Sequence, residues 1–61
     1  MNIPALQRDL REVENELRLA RTRLAHYNTL GEHELATDCR RVVLGHEQLR
    51  DTLTARIQQA Q

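Results

Sequence analysis

Three histidines, one cysteine and nine carboxylates are the side chains of this chain with the chemistry to bind a metal or move protons, and its nine basic residues could hold an anion. Metal ligation needs donors that converge on one point. Cys39 and His46 stand seven residues apart, two turns along one helix, too far to chelate one ion. His26, His33 and Glu34 gather around one short segment and offer no more than an adventitious surface site. Hydrolysis and group transfer find still less to use. The chain has no serine and no Gly-rich phosphate loop, and no nucleophile is spaced to meet a base. These residues describe a protein that is not an enzyme, with no metal, no cofactor and no small-molecule substrate.

All the basic charge is arginine, since lysine is absent, and it is balanced by acidic residues to formal neutrality. Guanidinium forks suit carboxylate or phosphate partners, but neutrality argues against general affinity for nucleic acid. Tyr27 is the only aromatic residue, which nearly excludes base stacking. Placed on two antiparallel helices, the charges sort by height. Arg18, Arg21 and Arg23 lie level with Arg40 and Arg41 and form a basic belt able to bind a partner or an anion. Glu12, Glu14 and Glu16 lie level with Glu47 and Asp51 and form an acidic belt farther from the turn.

The elements that position these charges are legible from hydrophobic spacing. Leu6, Leu10, Val13, Leu17, Ala20, Leu24 and Tyr27 alternate by four and three, which is a heptad seam on one amphipathic helix. Leu35, Cys39, Val42, His46, Leu49 and Leu53 repeat the alternation, and Ile57 and Ala60 continue the apolar side. Asn2 is placed to cap the first helix, and Pro4 is tolerated in its first turn. Two stops compete between the seams. Gly31 can take the left-handed position that ends helix one, or Asn28 can end it while Thr29 and Glu32 form a capping box for helix two. Either stop leaves a short turn, and a short turn folds the helices back antiparallel. The spacing therefore predicts one all-α domain over residues 1–61, a coiled-coil-like hairpin with helix one at about 3–28, a turn at about 28–32 and helix two at about 32–59.

Antiparallel pairing sets Tyr27 level with Leu35, Leu24 with Cys39, Ala20 with Val42, Leu17 with His46, Val13 with Leu49, Leu10 with Leu53 and Leu6 with Ile57. A chain of 61 residues builds only a marginal core by itself, and two helices cannot enclose a seam from all sides. The expectation is a homodimeric four-helix bundle or a hairpin completed by a protein target. Pairing with turns at opposite ends would set each basic belt against the other's acidic belt. Off the seams, Leu19 and Leu44 share one height, and Val43 and Gly45 flank Leu44, so these four residues read as a small apolar contact patch. No apolar run approaches membrane length, and the opening residues lack the pattern of a signal peptide, so a cytoplasmic location is expected, with no membrane partner.

In helix two, Glu34-x-Ala36-x-x-Cys39, then Leu49, then Ala55-Arg56 stand at distances from the turn that resemble the Rop family of plasmid copy-number regulators. The resemblance covers helix two only. It implies a hairpin that dimerises into a four-helix bundle and binds paired RNA loops through the outer face of helix one. That stretch here holds Arg11, Asn15, Arg18 and Leu19, with no phenylalanine. In size and layout the chain is also similar to the hairpin co-chaperones of type III secretion needles and to small phage-encoded inhibitors. The function expected is a small adaptor, chaperone or inhibitor acting on a partner protein. The alternative is an RNA-binding regulator using Arg18, Arg21 and Arg23.

Overall fold

The computed structural model describes residues 2–61 and consists of two helices, α1 at Ile3–Leu30 and α2 at His33–Ala60, packed against each other as an antiparallel hairpin. Asn2 starts α1 in extended backbone, and its Oδ1 accepts from the Ala5 N–H at 3.1 Å. Pro4 sits in the first turn, where its missing N–H costs nothing. Each of the five threonines donates its hydroxyl to the carbonyl four residues back, at 2.8–3.0 Å, so these β-branched residues are accommodated inside the helices.

Of the two stops readable in the sequence, Gly31 is the one used. Its φ of 72° is left-handed, its N–H donates to the Asn28 carbonyl, and the Glu32 N–H donates to the Tyr27 carbonyl at 2.9 Å. This pair of bonds satisfies two carbonyls at the helix end. Helix α1 consequently runs to Leu30, beyond the expected residue 28, and Thr29 lies inside it, bonded to the Ala25 carbonyl rather than capping α2. Glu32 precedes α2 without a side-chain cap. Gly31→Ala is expected to cost about 1–2 kcal/mol, because a Cβ is disfavoured in this backbone conformation even though nothing lies within 4 Å of where it would stand. A thermal melt followed by circular dichroism measures that loss.

The hairpin is a slab of 44 × 14 × 10 Å across its Cα atoms. Its buried core is a single file of Val13, Leu17, Ala20, Ala36, Leu53 and Ile57, with Leu6, Leu10, Leu24, Tyr27, Cys39 and His46 half-buried around it. Every seam residue expected on α1 thus lies at least half inside. On α2 the expectation is corrected at three positions: Leu35, Val42 and Leu49 are 45, 48 and 48% exposed. Their neighbours one residue on take the inward places, with Ala36 fully buried and Val43 and Arg50 half-buried. The physical reason is width. The apolar stripe of α2 is broader than one facing helix can cover, and the helix is rolled so that Ala36 and Val43 face α1 while the neighbouring column turns out.

Candidate functional site

Two cross-helix hydrogen bonds define one side of the slab. Arg21 Nη2 donates to Glu47 Oε2 at 3.0 Å, and Arg40 Nη2 donates to Asn28 Oδ1 at 3.3 Å. Both arginines lean toward the N-terminus of their own helix, as helical side chains do, which brings each to its partner's level. This side is polar and closed by its own pairs.

The opposite side differs. At about 100° per residue, Val42 lies roughly 140° around α2 from Glu47, so the exposed column Leu35, Val42, Leu49 and then Arg56 runs along the other side. Half-buried Cys39 and His46 and buried Leu53 border it on the inner edge. His46 Nδ1 lies 2.8 Å from the Val42 carbonyl oxygen. A carbonyl only accepts, so Nδ1 carries the hydrogen and the ring is held against its own helix. On α1 the same side carries Asp9, Glu16 and Arg23, also spaced by seven. The face is therefore apolar along α2 and, along α1, charged as far as Arg23, with Leu30, 59% exposed, at the next position of the same spacing.

The expected apolar patch does not form one surface. Leu19 and Leu44 are 41 and 56% exposed. Leu44 precedes Glu47 by three residues and shares the shoulder of the polar side, whereas Leu19 precedes Arg23 by four and shares the other shoulder. Val43 is half-buried toward α1. Gly45 alone of the four borders the exposed column, between Val42 and Leu49, and no atom lies within 4 Å of a Cβ built there. The basic belt separates in the same way. Arg21 and Arg40 lie on the polar side and are paired, Arg18 donates to Asn15, Arg41 lies 3.9 Å from Asp38, and Arg23 lies on the opposite side. Position around the helix axis divides both groups.

Ala36 and Arg50 are the inward residues that the spacing did not single out. The same alternation of three and four runs through 36, 39, 43, 46, 50, 53, 57 and 60. Arg50 is the break that made Leu49 the more natural choice, yet its stem packs half-buried while its Nη2 reaches Asp51 at 3.0 Å. Among the described residues no three His, Cys, Asp or Glu side chains cluster as a metal site, no pocket is enclosed, and no helix is long and apolar enough to cross a membrane.

Fold and face together define a class: the antiparallel helical hairpin whose second helix leaves an apolar column uncovered. Compared with protein-family models, curated proteins and solved structures, the chain matches none of them.

Proposed function

We propose that this hairpin is a non-enzymatic interaction protein, a small adaptor, chaperone or inhibitor that works by docking the Leu35, Val42 and Leu49 face on another protein surface. The observation that carries the reading is the contrast between the two sides. One is closed by its own polar pairs, and the other leaves three large apolar side chains about half exposed in a line. Isolated exposed leucines are ordinary, but an aligned column on a chain this small is a contact surface. The cytoplasm is the setting this reading assigns, where a free thiol such as Cys39 persists.

The RNA-binding alternative has less support. Of its three arginines on α1, Arg23 lies on the side opposite Arg18 and Arg21, and Arg21 is already engaged by Glu47. Retention of partners from a lysate of the native host on the immobilised hairpin tests the two readings. An apolar face is expected to hold protein, to release little of it between about 50 and 200 mM salt, and to tolerate Arg18→Glu with Arg21→Glu. Retained RNA whose affinity falls by about 10³ over that salt range, and which the two substitutions abolish, would overturn the proposal.

A further inference from the structure

We infer that the occupant of this face is a second copy of the chain, related by a twofold axis that sets α2 against α2 with the two turns at opposite ends. The inference rests on the reading that the Leu35, Val42 and Leu49 face is the binding face, and it names what binds there. Two twofold arrangements stack such slabs face to face. With the turns at the same end, the apolar column of each α2 would lie on the charged edge of the partner's α1. With the turns at opposite ends, column meets column and charged edge meets charged edge. Apolar surface is then removed from water without desolvating Asp9, Glu16 and Arg23 against leucine.

The charges fit that arrangement in one register. If the axis passes at the level shared by Glu16 and Glu47, Arg23 lies opposite Asp9 of the partner subunit, and Asp38 lies opposite Arg56 of the partner subunit, each pair occurring twice. Within one chain Arg23 and Arg56 make no ion pair among the described residues, while Asp9 and Asp38 are held only at 3.8 and 3.9 Å by Arg8 and Arg41. Asp9 and Arg23 are about 21 Å apart along their own helix and cannot meet without a second copy. In the same register Leu49 of the partner subunit lies over Gly45, whose missing side chain leaves room for it. Glu16 meets its own mate across the axis, an unfavourable contact, and Leu35 lies at the level of Gln59 of the partner subunit, beyond the stretch in which Val42 and Leu49 of the two copies cover each other.

Size agrees as well. The slab is 44 Å long, and two helices with side chains are about 20 Å wide, so the face offers about 900 Å². A stable interface uses about 800 Å² per partner. The lone hairpin exposes 4624 Å², against about 4,100 Å² for a compact monomer of its mass.

Sedimentation equilibrium of the full chain, with helicity checked in parallel, tests the inference. The wild type is expected to dimerise. Arg23→Glu and Asp9→Arg should each weaken the dimer about tenfold at low salt, and the two together should restore it to within about twofold, since opposite charges then face each other again. Glu16→Gln should tighten it about twofold. Gly45→Ala should raise the melting temperature of the dilute monomer, where alanine is the better helix former, yet weaken the dimer about tenfold by crowding Leu49 of the partner subunit. A chain that stays monomeric at millimolar concentration, or a dimer in which the double charge reversal fails to rescue, overturns the inference. If such a monomer still captures another protein through Val42 and Leu49, only the self-association is overturned and the docking function stands.

Discussion

Leu17→Ala is expected to leave the chain largely unfolded in dilute solution. Leu17 is 3% exposed and is the most deeply buried large side chain of the hairpin, midway along a core only one file wide. Truncating a buried leucine costs about 2–5 kcal/mol, partly as lost transfer energy and partly as the cavity left behind. A 61-residue chain has about that much stability in total. No second layer stands behind this file to compensate, because the outer sides of both helices face water. Loss of most helical circular dichroism at 25 °C is the expected result. A melting temperature within a few degrees of wild type would mean that the packing does not centre on Leu17.

The second large effect has the opposite character. Replacing Leu35 and Leu49 by Gln and Val42 by Thr is expected to change the stability of the dilute monomer by no more than about 1 kcal/mol, because these side chains are already half in water and Gln is a good helix former. Association is expected to fall at least a hundredfold. Burying the exposed halves of Val42 and Leu49 on each of two surfaces contributes about 3–6 kcal/mol, and the polar replacements would have to be desolvated instead. Titration calorimetry or sedimentation reads the loss of association, and a dilute melt reads the retained fold. Equal damage to both would place the column inside the hairpin's own core.

That contrast also marks where the amino-acid sequence was informative. The two helices, the antiparallel turn and the inward side of α1 follow from unbroken heptad spacing, since α1 has only the two adjacent apolar columns of its seam, Leu6, Val13, Ala20 and Tyr27 beside Leu10, Leu17 and Leu24. On α2 the column through Cys39, His46 and Leu53 is flanked on both sides, by Leu35, Val42 and Leu49 and by Ala36, Val43 and Ile57. A heptad repeat gives the period of a stripe but not how far the helix rolls within it. The choice between the two stops at the turn depended on whether Gly31 adopted a positive φ, which either sequence reading permitted. Height alone groups Leu19 with Leu44 and the five arginines with one another. The spacing of Leu44 from Glu47 and of Leu19 from Arg23 carried the missing angle, because residues three and four apart share a side of a helix.

The melting temperature of the chain as a function of its concentration addresses the covered face most directly, measured for the wild type and for the variant carrying Leu35→Gln, Val42→Thr and Leu49→Gln. Linkage to association makes the wild-type melting temperature rise with concentration, while the variant should melt at one temperature throughout and match the dilute wild type. A wild-type melting temperature that does not move with concentration, together with a variant that melts lower at every concentration, would contradict it.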